Sequence, residues 1–261
     1  MSPPLSEPTV IIRPALFGHV EMSATLLVLD TVDVWQVWLD HVSNPTPDAL
    51  NAAERQRAAR FRFDRDRRRY MAGRAAVRTI LARYLDTDPG SVQLVAGPGG
   101  RPEIPGQADI SISHSGGLLL LAVAHGFRVG VDVEALDQEL EVASLAQRHL
   151  APGEAAQILN VEIPESTLSF LRSWTLKEAV RKALGIGLAM DTRAWPVAIG
   201  PDGVASFSDD RDRPPGEWCM RSFQPASGYV AAVAATAGGP DLGRLSGAES
   251  MPPANAPGGI S

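Results

Sequence analysis

The sequence predicts an α+β fold built from two similar halves. Two observations predict it. The order strand, helices, strands occurs twice along the chain, and the strand segments are short, period-two or wholly apolar runs separated by Gly/Pro turns, without regular alternation of each strand with a helix. At 261 residues the chain has ample length for a core, either as one large domain or as two small ones.

Residues 1 to about 22 contain several prolines and read as an irregular extension. Thr25–Leu29 then reads as a buried strand, followed by helical stretches near 34–42 and 48–60. A long helix near 65–85 carries Tyr70, Val77, Ile80, Leu81 and Leu85 at helical spacing, and Asp88-Pro89-Gly90 closes it. Short strands follow at Val92–Val95, Ile110–Ser113, Leu118–Ala124 and Val129–Val133. The second series has helices near 139–149, 152–160 and 165–184, the last stopped by Leu184-Gly185-Ile186-Gly187, a glycine C-cap signal. Strands near 195–199, 204–208, 217–223 and 228–235 complete it. The expected division is 23–125 and 126–236, with the seam near 124–128. Residues 237–261, rich in Gly, Pro, Ala and Ser, read as a disordered tail.

Composition narrows the function. The net charge of −6 gives no global attraction to nucleic acid or anionic membrane. No apolar run approaches the roughly 18 residues of a membrane span, and the N-terminus lacks a signal-peptide pattern. Cys219 is the only cysteine, which excludes an internal disulfide and a cysteine-rich zinc site. The expectation is a soluble, cytoplasmic protein. Of the 24 lysines and arginines all but two are arginine, and those two, Lys177 and Lys182, share the stretch Trp174-Thr175-Leu176-Lys177-Glu178-Ala179-Val180-Arg181-Lys182. A chain that otherwise prefers Arg places a compact ammonium there twice, beside a glutamate.

Gly130-Val131-Asp132-Val133-Glu134 is a strand in which Asp132 and Glu134 face one way and Val131 and Val133 the other. Two carboxylates on one face repel unless a cation joins them, and hard oxygen ligands suit Mg²⁺; as two solvated carboxylates at a strand end they need no ligand. On the helix, Trp174 and Glu178 share a face, and Glu178 and Lys182 stand at i, i+4. That arrangement is an ordinary surface ion pair, or a third acid with a lysine aimed at a phosphate. In Ser111-Ile112-Ser113-His114-Ser115-Gly116-Gly117, Ser113 and His114 fall on opposite strand faces and no G-x-S-x-G elbow is present, so polar groups for a phosphate or a base edge fit better than a hydrolase pair. Gly97–Pro102 is a turn presenting Arg101 without a Walker A pattern. Eleven arginines fall between Arg55 and Arg83, a local basic surface for a phosphorylated ligand or an acidic partner protein.

In this order, Arg60-Phe61 … Arg69-Tyr70-Met71-Ala72-Gly73, Gly100-Arg101-Pro102, Ile112-Ser113-His114-Ser115, Gly130–Glu134 and Trp174–Ala179 … Lys182 resemble the 4′-phosphopantetheinyl transferases of the surfactin-synthetase-activating type, from about residue 59 to 188 and more weakly to 235. The resemblance implies two pseudo-symmetric halves with the active site in the cleft between them. It implies coenzyme A as substrate, an apo acyl or peptidyl carrier protein as acceptor, and adenosine 3′,5′-bisphosphate as product. It further implies Mg²⁺ on Asp132, Glu134 and Glu178. Arg57, Arg69, Arg101, Ser113, His114 and Lys182 are the implied coenzyme A contacts, and Glu178, Lys182 and Glu154 the implied catalytic set. The enzyme would be a monomer serving fatty acid, polyketide or non-ribosomal peptide synthesis, without nucleic-acid or membrane partners. Where that family often carries a lysine, this chain has Glu54, with Arg55 beside it. The other readings are a non-catalytic coenzyme A-binding or assembly protein on the same fold, which leaves the Asp132, Glu134, Glu178 and Lys182 set without purpose, and a nucleic-acid binder, which does the same for the carboxylates.

Overall fold

A computed structural model describes residues 9–14, 31–42, 49–97, 100–106, 108–136, 140–186, 191–209, 211 and 213–237. The first part contains β1 (Thr9–Pro14), β2 (Thr31–Trp38), α1 (Ala52–Ala58), α2 (Asp64–Tyr84), a short pair β3 (Val95–Ala96) and β4 (Pro102–Glu103), then β5 (Asp109–Ser115) and β6 (Leu118–Ala124). The second contains β7 (Phe127–Ala135), α3 (Val142–His149), α4 (Pro152–Leu159), α5 (Glu165–Leu184), β8 (Val197–Ile199), β9 (Val204–Phe207), β10 (Trp218–Phe223) and β11 (Tyr229–Ala237).

One sheet has the order β1-β2-β6-β5 and the other β7-β11-β10-β9-β8. The duplication lies in the connectivity. In each half a leading strand (β2 or β7) is followed by helices that end in a long one (α2 or α5). A hairpin then follows (β5–β6 or β10–β11), whose second strand returns antiparallel beside the leading strand. The orders β2-β6-β5 and β7-β11-β10 are therefore equivalent, and the fold is α+β in two pseudo-symmetric halves.

Burial explains the layering. Leu119, Leu121 and Val123 of β6 pack with Val77, Ile80 and Leu81 of α2. The alternate residues Leu118, Leu120 and Ala122 pack against Val129, Val131 and Val133 of β7 and Val233 of β11. Leu176, Val180 and Leu184 of α5 cover the far side, on Trp195, Met220, Ala232 and Ala234. The result is helix, sheet, sheet, helix, and β6 is apolar at all seven positions because both of its faces are covered. Each such Leu or Val contributes roughly 1.5–3 kcal/mol of burial.

Three expectations are corrected. Residues 34–42 are not a helix: they belong to β2 and a 3-10 turn at Leu39–His41. β2 lies between β1 and β6 and buries Val32, Val34, Trp35 and Val37, so apolar residues on both faces hide the period of two. The N-terminal segment is not wholly irregular: Thr-Val-Ile-Ile-Arg-Pro forms β1, parallel to β2. Arg13 fastens it by bonding Asp33 at 2.7 Å, and Asp33 also accepts from Tyr84 at 2.6 Å. The Val92–Val95 strand reduces to Val95–Ala96, since Val92 instead accepts from Arg78 through its carbonyl. The strand expected at Thr25–Leu29 and the tail beyond residue 237 lie outside the described residues.

Candidate active site

β5 reads Asp-Ile-Ser-Ile-Ser-His-Ser, and its period of two sorts the side chains. Ile110 and Ile112 face α2. Asp109, Ser111, Ser113 and Ser115 face β7 across the junction of the two sheets. Asp109 accepts from the Val129 N–H at 2.6 Å, and Ser111 accepts from Val131 N–H at 3.0 Å. Ser113 Oγ donates to Asp132 Oδ1 at 2.7 Å. Ser115 Oγ accepts from Ala135 N–H and donates to Glu134 Oε2, both at 3.0 Å.

α5 lies directly on β7 because β7 carries Gly130 at the crossing: a Cβ there would stand 1.8 Å from the Ala179 carbonyl oxygen and 2.7 Å from Ala183 N. That contact brings Lys182 Nζ to 2.7 Å from Asp132 Oδ1 and 3.0 Å from the Val131 carbonyl. Glu178, one turn earlier, is bonded by Arg181. Burial pushes the Glu134 carboxyl up, and the Asp132 charge adds to it; Ser115, Lys182 and Trp174 act in the opposite sense. Burial likewise raises Glu178, with Arg181 opposing and Asp132 again adding. Both glutamates thus feel Asp132 as a repelling neighbour.

Among the described residues no group of three or more His, Cys, Asp or Glu side chains is assembled, as it stands, to hold a metal ion. Lys182 and Arg181 occupy acceptors of Asp132 and Glu178. The donor set nevertheless fits a hard divalent cation. Asp132 Oδ2 is buried with no hydrogen-bond partner among the described residues, the acids repel one another, and all the donors are carboxylate oxygens.

On the other side of β5 lies a cleft of about 1030 Å³ whose lining includes Arg57, Phe61, Arg69, Tyr70, Arg74 and His114. The Arg57 guanidinium sits 5.5 Å from the Tyr70 ring centre, and the Phe61 and Tyr70 rings are 5.2 Å apart. Asp40 holds Arg69 through bonds of 2.8 and 2.5 Å. β5 therefore stands between a cleft lined by arginines, aromatic rings and the acids Glu54 and Asp66, which His114 faces, and the carboxylates, which Ser113 and Ser115 face.

Residues 35–126 match the family model of the 4′-phosphopantetheinyl transferase N-terminal region, and residues 128–234 match that of the 4′-phosphopantetheinyl transferase superfamily. The 4′-phosphopantetheinyl transferase HetI of Nostoc sp. is 32% identical over 216 residues, which is 80% of this chain and 89% of that protein. The chain belongs to the 4′-phosphopantetheinyl transferase superfamily. The phosphopantetheinyl transferase of Thraustochytrium sp. is 32% identical over 63% of this chain and 62% of its own. The 4′-phosphopantetheinyl transferase Sfp of Bacillus subtilis is 27% identical over 71% and 82%.

The structure places two of the transferase's expected site residues, Arg101 and Glu154, away from the cleft and the acids, and gives Glu54 a structural role. Arg101 does not line the cleft. Its guanidinium is buried and donates to the carbonyls of Lys182, Ala183, Ile110 and Val129 and to Asp109. It caps the C-terminus of α5, where carbonyls lack helical partners, and ties that end to the sheet junction. Glu54 takes the place of a cation without supplying one: it caps α1 through Asn51 N–H and bonds Arg74 and the buried Arg78. Burial pushes its carboxyl up, but Asn51, Arg74 and Arg78 outweigh that and hold it below the ordinary glutamate range.

Glu154 is the second such residue. It does not join the acid cluster. One oxygen accepts from Lys177 at 2.6 Å and from Ala151 N–H at 2.9 Å, the other from Val197 N–H at 2.8 Å. Lys177 is fully buried and also donates to the Thr192 carbonyl at 2.9 Å. The pair pins α4, α5 and β8 together, so of the two lysines only Lys182 reaches the acids. A Lys177→Met variant, which strands Glu154 as a buried unpaired charge, is expected to lose about 3–5 kcal/mol of stability. A Glu154→Leu/Lys177→Met double variant should recover most of it, and urea unfolding of both proteins checks this.

Ser115, Arg181 and Lys177 were not picked out as partners from the sequence. The Asp-x-Ser-x-Ser-x-Ser spacing of β5 was the available signal for Ser115, since a half-polar strand beside two buried acids has to bond something across the junction.

Proposed function

We propose that the protein transfers the 4′-phosphopantetheine group of coenzyme A to a serine of an apo acyl or peptidyl carrier protein, releasing adenosine 3′,5′-bisphosphate, with Mg²⁺ as cofactor. The observation that carries this reading is the position of β5, with Asp132, Glu134 and Lys182 on one side and a cleft lined by arginines and aromatic rings on the other.

Arg57, Arg69 and His114 hold the adenosine bisphosphate end of coenzyme A, with the Phe61 and Tyr70 rings available to its base. Asp40 keeps Arg69 in one orientation before the ligand arrives. The carrier serine hydroxyl attacks the β-phosphorus. The new phosphorus–oxygen bond replaces the one to the leaving adenosine bisphosphate, and Glu178 accepts the hydroxyl proton. Asp132, Glu134 and Glu178 are the residues that would hold Mg²⁺, which when bound supplies neutralisation of charge at the pyrophosphate. Lys182 adds positive charge at the same place.

The exposed arginines 55, 57, 60, 62, 65, 67 and 68 form a surface suited to an acidic carrier. Both walls of the site come from one chain, which supports a monomer. Among the described residues no helix is long and apolar enough to cross a membrane, in line with a cytoplasmic enzyme.

Incubation with coenzyme A, Mg²⁺ and an apo carrier should release one adenosine 3′,5′-bisphosphate per carrier modified, measured by chromatography. Bisphosphate formed without carrier modification would point to hydrolysis and overturn the reading. A Lys182→Arg variant is expected to lose at least about tenfold in turnover, roughly 1.4 kcal/mol. The guanidinium is larger and planar, and does not fit the place that the compact ammonium takes between Asp132 and the Val131 carbonyl. Unchanged kinetics in the folded variant would reduce Lys182 to a surface cation.

A further inference from the structure

β5 and β7 belong to different sheets and share no backbone ladder. Side chains of β5 take over that role, meeting β7 at Val129, Val131, Asp132, Glu134 and Ala135 in register. Ser111 bonds a backbone amide of β7, and Asp109 bonds a backbone amide and the guanidinium groups of Arg101 and Arg128. Ser113 and Ser115 differ, because their hydroxyls also reach the acids. Ser115 does both at once: its oxygen accepts from Ala135 N–H, which orients the hydroxyl proton toward Glu134 Oε2.

The position of Ser115 is itself constrained. It pairs with Leu118 across a tight turn at Gly116-Gly117. Gly116 has φ +56°, and a Cβ there would come 3.0 Å from Tyr229 Oη, while Gly117 N–H donates to the same Oη at 3.3 Å. The hydroxyl that grips Glu134 is thus fixed from both halves of the molecule. Groups that orient ligating carboxylates in this way change metal affinity or activity by about 10–100-fold when removed.

The geometry points to Ser115 as a positioning residue that acts through Glu134, so that the first half of the molecule sets the orientation of an acid borne by the second. This rests on the reading of Asp132, Glu134 and Glu178 as the Mg²⁺ set. Ser115 touches neither the reacting phosphorus nor the carrier in this role; its effect on turnover passes through the carboxylate.

The test uses Mn²⁺ as the probe, titrated into the full-length protein with coenzyme A present and no carrier, and followed by electron paramagnetic resonance, so that no turnover is needed. In Ser115→Ala the Mn²⁺ dissociation constant should rise by about 10–100-fold. Turnover at fixed Mg²⁺ should fall by a similar factor, and KM for coenzyme A should stay as in the wild type. Ser115→Thr, which keeps the hydroxyl on a strand, should restore both. Wild-type Mn²⁺ affinity in Ser115→Ala overturns the proposal, as does a raised KM for coenzyme A with unchanged metal affinity, which would make Ser115 a direct ligand contact. Failure of Ser115→Thr to restore binding overturns the role of the hydroxyl. Absence of Mn²⁺ binding by the wild-type protein would overturn the metal reading itself, and this proposal with it, whereas the other outcomes leave that reading standing.

Discussion

In an Asp132→Ala variant, carrier modification is expected to fall by at least about 10²–10³-fold, with the melting temperature close to that of the wild type. Asp132 is the acid that both glutamates feel, the partner of Ser113 and Lys182, and the owner of a buried oxygen without a hydrogen-bond partner among the described residues. Its loss removes the shared member of the proposed metal set. The fold should tolerate the change. Repulsion on Glu134 and Glu178 is relieved, and Lys182 is part-exposed and keeps the Val131 carbonyl, so no charge is stranded in the core. Chelation of Mg²⁺ from the wild type should produce the same loss. Near-wild-type turnover in a folded Asp132→Ala protein would remove Asp132 from the mechanism.

The second large effect is expected at a residue with no functional group. Gly130→Ala places a Cβ 1.8 Å from the Ala179 carbonyl oxygen, a backbone atom that cannot rotate away. Either α5 lifts from β7 or β7 bends, and Val129 and Val131 on both sides are fully buried, which resists bending. Overpacking of a core costs about 1–3 kcal/mol, occasionally more, and a helix-to-strand backbone contact belongs at the upper end of that range. The same displacement carries Glu178 and Lys182 away from Asp132, so turnover should fall along with stability. Urea unfolding and steady-state kinetics on the purified variant check both; an unperturbed unfolding midpoint would show that α5 does not depend on this close approach.

How much of the fold could be read from the residues depended on whether one face of each element was polar. α5 was legible to its end because its boundary has a local cause: Gly185 adopts the left-handed conformation, with φ 71°. Asp132 and Glu134 were legible as same-face acids because Val131 and Val133, which alternate with them, are core. β2 was not, because neighbours on both edges and covered faces leave it no alternation. The ligand role of Arg101 came from the resemblance, and the turn beside Gly and Pro reads as presenting it outward, whereas its side chain folds inward to the carbonyls of Lys182 and Ala183. The partners of the two lysines were equally hidden. Helical spacing offered Glu178 to Lys182, but the close contact of α5 with β7 gives Lys182 to Asp132, and Glu178 turns to Arg181. The partner of Lys182 is chosen by a tertiary contact, which no spacing within α5 encodes, and that leaves Glu178 to an i, i+3 pair on its own helix.

The intact mass of an apo carrier protein, followed by mass spectrometry after incubation with this protein and coenzyme A, tests the central claim most directly. With Mg²⁺ present the carrier is predicted to gain the mass of one phosphopantetheine group, and to gain nothing when the metal is chelated or when Asp132→Ala replaces the wild type. A carrier that stays unmodified by the folded wild-type protein across acyl and peptidyl carrier types, or one modified equally well without the metal and without Asp132, would contradict it.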